Sequence, residues 1–80
     1  MELIFQGGNE VVKLVIDRAN KQLQVSSSQT NYELIPAKWS MLFDKGRETI
    51  QERITDRLND EDFRKAIIAA MAQQGYMLKC

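Results

Sequence analysis

Acidic side chains form the densest group of chemically active residues in the chain, at Asp60, Glu61 and Asp62. Acid–base catalysis and cation binding both need carboxylates that converge on one point. Consecutive residues of a helix point about 100° apart, so three adjacent carboxylates on a helix diverge. The pattern is typical of a helix N-terminus, where the helix dipole favours negative charge.

Three other features could support chemistry, and each has a structural interpretation. Cys80 is the only cysteine, at a chain end where no base is fixed beside it, and no histidine is present to complete a metal site. The pair Gly7-Gly8 lacks the lysine and threonine of a phosphate loop and predicts a hairpin turn. The polar run at residues 27–31 predicts a solvated loop. We therefore expect no catalytic residue, no metal, no cofactor and no enzyme activity.

Composition indicates one globular domain spanning residues 1–80. Of its 80 residues, 44% are hydrophobic and 28% are charged, which is ordinary for a folded protein. The 11 basic and 11 acidic residues balance, which argues against a general polyanion binder. Apolar runs are too short to cross a bilayer, and no basic leader precedes an apolar segment. These features predict a cytoplasmic protein without membrane contact.

Alternating apolar residues bounded by turn residues predict an antiparallel β-meander of three to four strands in residues 1–35. The strands are expected at residues 1–6, 10–17 and 22–26, with a fourth at residues 32–35. The connections between them are too short for parallel crossovers. We expect Pro36 to end the fourth strand, because proline has no N–H to donate to a ladder.

Residues 36–78 are predicted to form two to three helices packed on one face of the meander, giving an α+β fold. Pro36 suits the first helical position, and Gly46 can end a helix there. A second helix would then cover residues 47–58. One long helix through Gly46 is the alternative, at a cost of about 1 kcal/mol.

The best-marked helix is expected at residues 59–75, with Asn59 or Asp60 as N-cap and Gly75 just past the end. Trp39 is predicted to pack between the sheet and the helices. The expected core comprises Val12, Leu14, Ile16, Leu23, Val25 and Leu34 from the strands, with Ile54, Leu58, Phe63, Ile67 and Met71 from the helices.

Strand 10–17 carries a candidate binding face. Its side opposite the core presents Val11, Lys13 and Val15, although a solvent-facing side is usually polar. Ile4 on the first strand can extend this face. One interpretation is β-propensity on a partly covered sheet, and the other is a face covered by a second chain, most simply a copy of itself.

A second candidate surface lies in the predicted helix at residues 47–58, where Arg53 and Arg57 share one flank. A solvated helix explains this pattern, and a cationic edge that meets an acidic partner or a phosphate is the alternative. From these features we expect a small non-enzymatic protein–protein interaction module, a homodimer with a regulatory or inhibitory role. The alternative is a nucleic-acid-binding protein that uses an edge formed by Lys38, Lys45, Arg47, Arg53 and Arg57.

Overall fold

The fold is defined by a computed structural model that describes residues 1–30, 33–39, 42 and 56–79. The strands are β1 (Glu2–Gly7), β2 (Glu10–Asp17), β3 (Gln22–Ser27), β4 (Ile35–Ala37) and β5 (Met77–Leu78). A 3-10 turn covers Ser28–Thr30, and helix α1 covers Asp60–Gln73. The described part of the chain is therefore a mixed α and β structure with one complete helix, α1. The two to three predicted helices are not shown, and most of residues 40–58 lies outside the described residues.

The five strands form one sheet in the order β4-β3-β2-β1-β5, and every neighbouring pair is antiparallel. The predicted antiparallel sheet is therefore confirmed. Strand β5 was not predicted: it returns after α1 and places Leu78 opposite Phe5 and Met77 opposite Gln6. The backbone N–H of Lys79 then donates to the carbonyl of Ile4 at 2.7 Å, which fixes the chain beyond α1 to the edge of β1.

Strand β4 and the residue before it correct three expectations. Pro36 lies inside the strand rather than ending it, and Pro36 and Ala37 do not begin a helix. The physical reason is that β4 is an edge strand, where one side has no ladder and proline is tolerated. Leu34 is 43% exposed, so its assignment to the core is wrong.

The core lies between one face of the sheet and α1. Its buried residues are Leu3, Phe5, Val12, Leu14, Ile16, Leu23, Leu42, Phe63, Ile67 and Ala70. Alternation along β2 and the spacing of Phe63, Ile67 and Ala70 along α1 bring these side chains to a common layer. Leu3 and Phe5 of β1 were missing from the predicted core. The predicted residues Val25, Leu58 and Met71 pack against its margin, and Ile54 lies outside the described residues.

Helix α1 begins and ends as its sequence predicts. The side-chain oxygen of Asn59 accepts from the backbone N–H of Asp62 at 2.7 Å, which makes Asn59 the N-cap. At the other end, Tyr76 N–H donates to the Met71 carbonyl and Gly75 N–H to the Ala72 carbonyl, with Gly75 at a φ of +89°. This pair of bonds is a Schellman motif. Within the described ranges, no helix combines the length and apolar character needed to span a bilayer.

Arg18, in the turn between β2 and β3, anchors the start of α1 to the sheet. Its guanidinium donates to the Leu58 carbonyl at 2.7 Å and to the Asp60 carboxylate at 2.8 Å. The same group lies 4.3 Å from the centre of the Phe63 ring. Trp39 stacks on that ring, with centroids 6.1 Å apart and planes inclined by 12°. Trp39 thus packs against the helix, as predicted.

Candidate functional site

The two sides of β2 differ in burial. Val12, Leu14 and Ile16 are buried beneath α1, whereas Val11, Lys13 and Val15 point the other way and are only half-buried. We call this second side of the sheet the outer face. By strand register it comprises Glu2, Ile4 and Gln6 of β1, Val11, Lys13, Val15 and Asp17 of β2, Gln22, Gln24 and Ser26 of β3, Pro36 of β4 and Met77 of β5.

Cross-strand register sets which outer-face residues are neighbours. Ile4 lies directly opposite Lys13, and Glu2 lies opposite Val15. Val11 and Val15 are two residues away from Lys13 on its own strand, so apolar side chains border the lysine on three sides. On the fourth side, Ser26 of β3 lies directly opposite Lys13 and is buried. The structure therefore brings together Val11, Lys13 and Val15, with Ile4 added from β1 as expected.

An ion pair lies within the outer face. Lys13 Nζ is 3.0 Å from a carboxylate oxygen of Glu2, and the two side chains are 30% and 56% exposed. A pair this exposed contributes on the order of 1 kcal/mol or less to stability. The pair places one negative and one positive charge side by side on the outer face. Glu2 was not among the site residues predicted from the sequence, although alternation with Ile4 on β1 places it on this face.

A second polar cluster joins three distant parts of the chain. The Ser27 hydroxyl donates to one carboxylate oxygen of Glu10 at 2.6 Å, and the Tyr76 hydroxyl donates to the other at 2.6 Å. Sequence reasoning missed this cluster, because Tyr76 and Glu10 are 66 residues apart and no local pattern relates them. It ties the segment after α1 to β2 and β3.

The protonation states of this cluster are fixed at neutral pH. The hydrogen bond from Ser27, and then that from Tyr76, lowers the pKa of Glu10. The same bond to Glu10, with some burial, raises the pKa of Tyr76. Both shifts move the pKa of the group further from pH 7, whereas an acid–base catalyst needs a pKa near the working pH. The geometry favours a structural tie. Within the described ranges, no group of three or more metal-ligating side chains comes together.

Gly7 is required by the Tyr76 ring. A Cβ at position 7 would lie 2.6 Å and 2.7 Å from two ring carbons of Tyr76, closer than side chains pack. We expect Gly7→Ala to displace the ring from Glu10 and to lower the free energy of unfolding by about 1–3 kcal/mol. Urea unfolding followed by circular dichroism measures this. In a Tyr76→Ala background the same change should lose most of its effect, and equal effects in both backgrounds would contradict the proposed clash.

The Glu10 cluster also predicts a pH dependence. The folded state lowers the pKa of Glu10, so its contribution is present above the unfolded value of about 4.3 and disappears as the pH falls through the folded value. For Tyr76 the pKa is raised, so its contribution is present below about pH 10 and is lost as the pH rises through the folded value. Glu10→Gln should therefore have a lower urea midpoint than the wild type at pH 7. The difference should vanish in acid, and a difference independent of pH would refute the assignment.

Most of the predicted cationic edge lies outside the described residues. Lys38 is exposed after β4, and Arg57 is exposed in a turn before α1 rather than in a helix. Lys45, Arg47 and Arg53 lie outside the described residues. Asp56, which immediately precedes Arg57 in the sequence, forms an ion pair with Lys21 at 3.2 Å. Binding of nucleic acid through this edge stays a prediction.

No known protein family matches the chain, and neither a curated protein nor a solved structure is significantly similar to it. The surfaces of the molecule are therefore the basis for inferring its function. Among the residues that the structure describes, Val11, Lys13 and Val15 of the outer face lie together.

Proposed function

We propose that this chain is a small non-enzymatic interaction module that forms a homodimer through its outer face and regulates or inhibits a partner by occupying it. The observation that supports this proposal is that the apolar side chains of Ile4, Val11 and Val15 border Lys13 on three sides, on the side of β2 away from α1. In an antiparallel sheet with one face on the core and the other in solvent, the solvent-exposed face is ordinarily polar.

The size of the outer face sets the expected strength of the dimer. Three long strands about 20 Å in length and about 4.8 Å apart give roughly 300 Å² per copy, and the short edge strands add on the order of 100 Å². Two copies packed face to face would then bury on the order of 800 Å², below the roughly 1,200 Å² of a typical stable interface. We therefore expect a dimer that forms reversibly, with a dissociation constant in about the micromolar to millimolar range.

The experiment is sedimentation equilibrium over a concentration series from about 10 µM to about 1 mM, chosen to span the expected affinity. The wild type should approach twice the chain mass at the upper end. Val15→Lys replaces one of the three apolar side chains with an ammonium group and should keep the chain monomeric throughout.

Ala69→Lys is the matched control, because Ala69 is exposed on α1, on the other side of the sheet from the outer face. It adds the same charge and should leave the association unchanged. A wild type that stays at the chain mass, or a Val15→Lys variant that dimerises as well as the Ala69→Lys variant, would refute the proposed function.

A further inference from the structure

We infer that the second copy packs on the outer face about a two-fold axis that places Lys13 of each copy beside the partner's Glu2. This inference rests on the proposed function, and it specifies the arrangement of the two copies. It follows from the charges of the outer face and from the symmetry that a closed dimer imposes.

A two-fold interface brings the same patch of both copies together, so the patch must be complementary to itself. The charged side chains of the outer face within strands β1 to β3 are Glu2, Lys13 and Asp17. Asp17 is occupied at the end of the sheet, where its two carboxylate oxygens accept from the backbone and side chain of Asn20. One acid and one base therefore remain at the middle of the patch.

The charges at the middle of the outer face cancel only because Glu2 and Lys13 lie side by side there. A packing that set Lys13 against Lys13 would place like charges in a contact that excludes water, which is strongly unfavourable. A two-fold axis between the two ion pairs avoids this, because each ammonium group then lies between two carboxylates. Lys13 has three N–H donors, so it can keep its own Glu2, 3.0 Å away, and also donate to the partner's Glu2.

Four charges would then alternate in sign around the axis, enclosed by Ile4, Val11 and Val15 of both copies. The surrounding aliphatic side chains exclude water, which strengthens the attraction between the charges. The arrangement also explains how a face with a central lysine can bind a copy of itself.

Single charge reversals test the arrangement. Glu2→Lys makes the middle of the face wholly basic, and Lys13→Glu makes it wholly acidic. Each variant alone should dimerise at least about tenfold more weakly than the wild type, because like charges meet across the axis. An equimolar mixture of the two should recover mixed dimers with an affinity close to that of the wild type. Sedimentation of the separate and mixed variants measures this, and far-UV circular dichroism verifies that each is folded.

A second measurement uses the wild-type chain and does not depend on the variants folding. Isotope-labelled and unlabelled chains are mixed and treated with a carbodiimide, which joins a carboxylate to an amine only when the two are in contact. Mass spectrometry should then find Glu2–Lys13 peptides with one labelled and one unlabelled half. Glu2–Lys13 peptides formed only within single chains, at a concentration where the wild type is dimeric, would overturn the two-fold arrangement.

The failure of this inference differs from the failure of the proposed function. A wild type that is dimeric, whose mixed variants do not associate better than the separate ones, excludes the two-fold arrangement and leaves the dimer in place. A wild type that stays monomeric at every concentration excludes both.

Discussion

Phe63→Ala is expected to lower the free energy of unfolding by about 3–5 kcal/mol, the usual cost of removing a large buried aromatic side chain. Phe63 is 0% exposed and is the point where α1, Trp39 and Arg18 meet. Truncation leaves a cavity and removes both the stacking contact and the contact with the guanidinium group. Since a chain of this length is stable by on the order of 4–12 kcal/mol, much of the variant should be unfolded under mild conditions.

The measurement is chemical unfolding followed by circular dichroism, with Lys65→Ala as the control. Lys65 is an exposed residue of the same helix that pairs with the exposed Glu61 at 3.4 Å, and its removal should change stability by about 0.5 kcal/mol or less. A Phe63→Ala variant within about 1 kcal/mol of the control would show that α1 does not pack on the sheet as described.

Arg18→Met should also have a large effect and lower the free energy of unfolding by about 1–3 kcal/mol. Arg18 is 20% exposed, and methionine of similar length keeps the packing while removing the hydrogen bond to Leu58 and the cationic contact with Phe63. The carbonyl of Leu58 then loses its charged donor. Lysine should not substitute for Arg18, because one ammonium group cannot reach both acceptors while lying flat on the ring.

Asp60→Asn separates the parts of this anchor. The Asp60 side chain is 87% exposed, so its ion pair with Arg18 should contribute less than about 1 kcal/mol. We therefore expect Asp60→Asn to be much milder than Arg18→Met in the same unfolding assay. If the two variants were equally destabilised, the ion pair rather than the Leu58 and Phe63 contacts would hold the start of α1.

The elements with local signals could be predicted from the sequence. Asn59 and Gly75 mark the ends of α1 because capping depends on residues a few positions apart. Strand β5 could not be predicted in this way, because two residues carry no periodicity and their pairing with β1 depends on where α1 ends. The prediction that Pro36 ends a strand failed for a related reason. The effect of a proline on a strand depends on whether that strand is at an edge, which only the assembled sheet determines.

The same distinction applies to the candidate site. Alternation along β2 was enough to place Val11, Lys13 and Val15 on one side, because the side-chain period of a strand is fixed. The partner of Lys13 was beyond this reasoning, since it requires the register between β1 and β2. The prediction that Arg57 lies in a helix was wrong. The apolar spacing expected of a helix was continued into residues that form a turn.

The central claim is that copies of this chain meet through the outer face. Two-dimensional NMR spectra of the backbone amides, recorded over the same concentration series as the sedimentation experiment, test it most directly. We predict concentration-dependent shifts at Ile4, Lys13 and Val15, and none at the exposed α1 residues Lys65 and Ala69. Shifts centred on α1, or spectra that do not change with concentration, would contradict the claim.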